Sequence, residues 1–199
     1  MVHHVSTAFH WSGVAAAHPV PLDGLADSVG AEPSGRSGAG AFNIWGNAFP
    51  ADELPCGERV EVDGVPFLFP EADGVRPDHL RCRGQRIPLT GPRADWIHVL
   101  GAAERRTEDE VLLEYADGTV RRQWLRISDF WPQTPARFGE SLAFRTARLL
   151  YPRHEQHTMS PSIWHQRVPV AVPGGLSALV LPDNPAMHLF ALTLVEEAA

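Results

Sequence analysis

Lysine is missing altogether, so all 17 basic residues are arginine. That single absence excludes Schiff-base catalysis, pyridoxal-phosphate attachment and the lysine-dependent phosphate loop. Cysteine is almost as scarce. Cys56 and Cys82 could form one bridge at most, and they read as buried thiols that behave as small apolar side chains. Excess positive charge is lacking too: the formal net charge is -7 with no basic stripe, which argues against a nucleic-acid partner. No apolar run is long enough to span a bilayer, so no membrane partner is expected. The opening residues MVHHVSTAFHWSGVAAAHPVP carry no cationic region ahead of an apolar core, and the expected compartment is therefore the cytoplasm. Also missing are a Gly-x-Ser-x-Gly elbow, a His-Glu-x-x-His pair, and nicotinamide or flavin fingerprints.

What the chain does have is β-strand patterning, punctuated by 18 prolines and 17 glycines. Its centre runs from Asp95 to Trp131. Trp96 to Ala103 is a nearly unbroken apolar run, too short for a helix core and suited to a central strand covered on both faces. Val111 to Tyr115 and Val120 to Ile127 flank Asp117-Gly118, a dipeptide that favours a two-residue type I′ hairpin turn. That turn would place Tyr115 opposite Val120, Leu113 opposite Arg122, Val111 opposite Trp124, and Glu114 against Arg121 as an ion pair.

The remaining segments extend the same pattern. Arg59–Val62 and Val65–Phe69 flank a second Asp-Gly, and shorter strands are expected at 79–83 and 86–89. Leu142–Tyr151, Ile163–Val172, Leu176–Leu181 and Met187–Val195 complete the chain, with a further edge strand expected at His4–Trp11. Residues 20 to 41 are rich in Gly, Ser, Pro and Ala and read as a mobile loop or linker. The expected organisation is residues 1–40 as an N-terminal strand and flexible loop, followed by residues 41–199 as one domain. About ten short strands without a convincing amphipathic helix predict an all-β, single-domain antiparallel β-sandwich of the jelly-roll kind.

Five stretches carry a family likeness: Asp63-Gly64-Val65-Pro66-Phe67, Gly84-Gln85 before Ile87-Pro88-Leu89, Asp95 through Ala103, Tyr115-Ala116-Asp117-Gly118, and Ile127-Ser128-Asp129-Phe130. In their order they resemble the galactose-binding-like β-sandwich modules that accompany many bacterial glycoside hydrolases, over about residues 41 to 196. The resemblance implies a jelly-roll sandwich, a carbohydrate ligand met by aromatic and polar side chains, and a structural calcium. No other cofactor is expected.

Candidate ligand-binding residues follow from the tryptophans and their polar neighbours, because a sugar presents an apolar C–H face to an aromatic platform. They are Trp45 with Asn47, Trp131, and Trp164 with Arg167. The acid-base candidates are His98, a titratable group inside the central apolar run, together with His165 and Asp129. His188 occupies a similar setting in the last strand and would share a face with His98 if the two strands are neighbours. His154, His157 and His165 form the densest histidine cluster, a candidate metal set only if residues 151–160 form a loop. Three functions compete on these grounds. The first is a carbohydrate- or polyol-binding protein, and the second a small cofactor-independent cyclase, isomerase or lyase working through His98, His165 and Asp129. The third is a structural partner subunit.

Overall fold

The computed structural model describes residues 13–35, 40–91 and 93–198, so the strand expected at His4–Trp11 lies outside the described residues. Its strands are β1 (Val14–Val20), β2 (Ala31–Glu32), β3 (Phe49–Pro50), β4 (Arg59–Val62), β5 (Val65–Leu68), β6 (Leu80–Arg81), β7 (Arg86–Pro88) and β8 (Trp96–Ala103). They continue with β9 (Thr107–Tyr115), β10 (Val120–Ile127), β11 (Ser141–Arg145), β12 (Leu149–Tyr151), β13 (His154–Gln156), β14 (Ser162–Pro169), β15 (Leu176–Val180) and β16 (Met187–Glu197). The chain is an all-β sandwich. A six-stranded sheet runs β1-β16-β8-β14-β11 with β6 also on β16, and a four-stranded sheet runs β10-β9-β15-β7. No helix among the described residues is long and apolar enough to cross a membrane.

The apolar run of β8 places it at the middle of the larger sheet, between β16 and β14. Its alternate residues feed two separate cores. Ile97 and Val99 face the smaller sheet and join Leu113, Leu125, Ile127, Leu179 and Leu192 in the first core. Leu100 and Ala102 face the other way, into a second core rich in phenylalanine: Phe42, Phe49, Phe67, Phe69, Phe130 and Phe190. That second face is covered by the β4–β5 hairpin, the β2–β3 pair and β12, which makes a third, irregular layer. Gly101 of β8 leaves no room for a side chain beside β16. A Cβ there would sit 2.8 Å from both the His188 carbonyl oxygen and Ile127 Cδ1, beside the bulge in β16 between Leu189 and Ala191.

Three expectations change on contact with this fold. The strand expected over Leu142–Tyr151 is broken into β11 and β12, which join different sheets. Residues 20–35, linker-like in composition, pack against the body: β1 pairs with β16, β2 with β3, and Leu22, Ala31 and Glu32 are buried. The Asp117-Gly118 hairpin is also one residue out of the expected register. Gly118 donates to the Tyr115 carbonyl at 3.0 Å and Tyr115 donates to the Thr119 carbonyl at 2.9 Å, so Ala116, Asp117 and Gly118 all belong to the loop. Only Gly118 has positive φ there, the signature of a type I turn followed by a glycine bulge. Val120 therefore faces Glu114, Arg121 faces Leu113, and Trp124 faces Glu110. Glu114 pairs with Arg86 of β7 at 2.7 Å instead of with Arg121. At Asp63-Gly64 both residues do take positive φ, and the two-residue turn forms as the dipeptide suggests.

Candidate functional site

Two hydrogen-bonded histidine chains and one open cleft hold the chemistry of this domain. The first chain starts at Asp63, in the β4–β5 turn. Its Oδ2 lies 2.8 Å from His165 Nδ1, and His165 Nε2 lies 2.7 Å from His98 Nδ1. β14 carries His165 opposite Leu100 of β8, so both imidazoles point toward the second core. Burial lowers the pKa of His98 to about 2 and lowers that of His165 as well, so both rings are neutral at pH 7. The tautomers follow: His165 Nδ1–H donates to the Asp63 carboxylate, and His98 Nδ1–H donates to His165 Nε2. Both nitrogens of His165 are thus committed. Ser141 Oγ also bonds Asp63 Oδ2 and lies 3.4 Å from His165 Nδ1. Serine and carboxylate therefore share one ring nitrogen, whereas a nucleophilic triad needs them on opposite nitrogens.

The second chain runs Asp78–His79–His188–Glu104. His79 Nδ1 lies 2.7 Å from Asp78 Oδ1, and its Nε2 lies 2.9 Å from His188 Nδ1. His188 Nε2 faces Glu104 Oε1 at 3.5 Å, and Arg81 closes on that same oxygen at 2.6 Å. Asp78 is fully buried and also accepts the amides of Gly30 and Ala31. Phe42 stacks on His188 with ring centroids 4.1 Å apart, and Phe190 stacks on His79 at 5.0 Å. Desolvation pushes the His188 pKa well down, and it raises that of Glu104 against the pull of the Arg81 guanidinium beside it. His98 and His188 do share a face of neighbouring strands. In register, however, His188 pairs with Ala102, four residues along β8 from His98 and about 13 Å away at the usual strand rise.

The other sequence candidates are scattered. Asp129 joins neither chain. Its carboxylate accepts the Trp131 amide at 2.9 Å, and burial raises its pKa. The carboxylate on His165 is Asp63, which its turn context had marked only as structure. Trp164 is packed in the first core with its indole N–H on the Asp129 carbonyl, so its ring is wall and not platform. Trp131 is half-buried, its ring set edge-on against Phe130. Arg167 lays its guanidinium 4.4 Å over the Trp96 ring. His154 in β13, His157 and His165 in β14 do not gather: His154 stacks on Tyr151, His157 faces Glu155 at 3.6 Å, and His165 bonds Asp63. Among the described residues no group of three or more His, Cys, Asp or Glu side chains is arranged to hold a metal ion. Cys56 and Cys82 are free, and burial raises both thiol pKa values, to about 11 for Cys56.

Trp45 is the exposed aromatic of the set, 61 % accessible beside Ile44 at 78 %. Asn47 is buried beneath it as a brace. Asn43 Oδ1 accepts the amides of Trp45 and Asn47, and Asn43 Nδ2 donates to Asn47 Oδ1 at 2.8 Å. Because the indole contributes so little buried surface, Trp45→Ala should change unfolding free energy by less than about 0.5 kcal/mol, measured by urea denaturation.

The cleft lies where the β9–β10 loop meets the segment before β15. It encloses about 280 Å³ between Tyr115, Asp117, Thr119, Arg121, Val172 and Gly174. Tyr115 and Val172 supply apolar surface, and Thr119 and Arg121 supply hydrogen-bond donors. None of these residues stood out in the sequence as a ligand contact, because Tyr115 to Arg121 read as hairpin turn and strand pairing. The register shift is what brings Arg121 to the cleft, since it places Arg121 opposite the inward-facing Leu113.

Against known proteins, residues 16–198 match the model of one family, described as the AziU2-like beta-sandwich domain. No curated protein matches the chain.

Proposed function

The chain belongs to the AziU2-like beta-sandwich domain family, and we propose that it serves as a binding module for a small polyol or carbohydrate. The observation that carries this reading is the cleft at the β9–β10 end. It has room for a small molecule, and its lining combines the apolar surface of Tyr115 and Val172 with the hydroxyl-bearing Thr119 and with Arg121. A sugar ring needs both, a surface for its C–H face and donors for its hydroxyls. The galactose-binding-like pattern of the sequence supports the same reading. The histidine chains support an acid-base enzyme less well, because both nitrogens of His165 are already engaged.

Amide NMR of the full chain tests it. Titration with glucose, galactose and sugar alcohols should move the resonances of Ala116, Thr119, Gly174 and Gly175. Shifts clustered at Ile44–Gly46 would transfer the site to the Trp45 loop. No shift with any of the panel would end the polyol reading.

A further inference from the structure

We infer that the cleft takes an acidic polyol, one carrying a carboxylate, and that Arg121 is the residue that selects it; this rests on the binding reading above. The argument begins with the arginines of the four-stranded sheet. Those on its outer face are matched by carboxylates: Arg122 with Glu110 at 2.8 Å, Arg126 with Glu108 at 3.0 Å, and Arg86 with Glu114 at 2.7 Å. Arg121 is the exception. It stands opposite buried Leu113, on the inward side of β10, and lines the cleft. Among the described residues no carboxylate lies within ion-pair distance of it.

Asp117 lines the same cleft but is turned onto its own loop. Its Oδ1 accepts the Thr119 amide at 2.8 Å, a bond that holds the carboxyl below the usual range. It therefore stays an anion committed to the turn; Arg121 helps hold it charged through space, but no hydrogen bond joins the two, so the guanidinium donors stay open to something that enters. A planar guanidinium matches a carboxylate through two parallel N–H···O bonds, a stronger and more directional pairing than it makes with a hydroxyl. The opposite rim is backbone: a Cβ added at Gly174 or Gly175 would meet no atom within 4 Å. A ligand can approach those peptide groups closely while its acid group reaches Arg121.

The test compares three probes by calorimetric or NMR titration of the full chain: glucuronate, glucose and acetate. Glucuronate should bind at least about tenfold more tightly than glucose, with the advantage shrinking as salt is raised. Arg121→Gln should erase that advantage, leaving glucuronate no tighter than glucose in the same variant, whereas Arg122→Gln, on the outer face, should leave it intact. Both side chains are exposed, so melting temperatures close to that of the parent chain will show that the variants fold. Equal affinity for glucuronate and glucose would overturn the acid preference while leaving the polyol site standing. Acetate binding as tightly as glucuronate would also overturn it, reducing the cleft to an anion site. If glucose and glucuronate both fail to bind, the polyol reading itself falls.

Discussion

Replacing Asp78 by alanine lowers the unfolding free energy by about 3–5 kcal/mol. The side chain is fully buried and accepts from three donors: the Gly30 N–H, shared between both oxygens, the Ala31 amide and His79 Nδ1. Alanine leaves all these donors in the interior without an acceptor, and each unpaired buried donor costs roughly 1–3 kcal/mol. The damage also spreads through the fold. The Gly30 and Ala31 amides fix β2 beside β3, and with them the segment that covers Phe42 and Phe49. For a domain of this length the loss corresponds to a fall in Tm of about 10 °C. Asp78→Asn keeps one acceptor oxygen and should lose about half as much. Urea denaturation measures both variants, and an alanine variant within about 1 kcal/mol of the parent would show that the carboxylate does not anchor this layer.

The second large effect is on pH dependence. Between pH 7 and pH 5 the folded chain should lose about 4 kcal/mol of stability. The sign follows from three buried histidines, His98, His165 and His188, whose folded pKa values all lie below the ordinary value. Such a histidine takes up a proton in the unfolded chain near pH 6.5 but not in the folded one. Its stabilisation is complete above that pH and is lost progressively as the pH falls toward the folded value, about 2 for His98. Each proton taken up on unfolding costs about 1.4 kcal/mol per pH unit, and the hydrogen bond between His98 and His165 keeps their contributions from simply adding. Glu104 and Asp129 act the other way. Burial raises their pKa values, so they favour the folded state as the pH falls and recover part of the loss. Asp63 is depressed below the ordinary carboxylate value and therefore matters only at lower pH, outside this window. Urea midpoints at pH 7, 6 and 5 measure the slope. A flat profile would contradict the buried-neutral assignment, and His98→Gln should make the profile shallower.

The strands with unambiguous patterns could be read from the residues alone. β8 and β10 begin and end where their apolar run and alternation say they should, at Trp96–Ala103 and Val120–Ile127. Short strands such as β2 and β6, of two residues each, leave no periodicity to read. The packing of residues 20–35 was hidden for a different reason: its Gly, Ser and Pro content matches a linker, and only the burial of Leu22 and Ala31 distinguishes the two. At the site, His98 and His165 were legible as unusual and are bonded to each other. Asp63 was not legible as their partner, because it looks like any turn aspartate until the hairpin folds over β14. The Asp78–His79–His188 chain joins residues from opposite ends of the sequence, and no local pattern announces it. Arg121 was assigned to an ion pair with Glu114 because of a single misread turn.

That turn has a further consequence. Along β10, Leu125 and Ile127 are buried while Arg122, Trp124 and Arg126 are exposed, so the strand can be read in two frames against β9. A two-residue turn would have selected the other frame and driven a tryptophan and two guanidinium groups into the first core. The Asp-Gly dipeptide favours that wrong frame, yet burial of Leu125 and Ile127 overrules it and draws Ala116 into the loop. The misaligned hairpin is therefore a decoy that the apolar pattern penalises heavily. A single polar substitution at Leu125 would do more than weaken the core, because it would remove much of the discrimination between the two alignments and let both be sampled during folding.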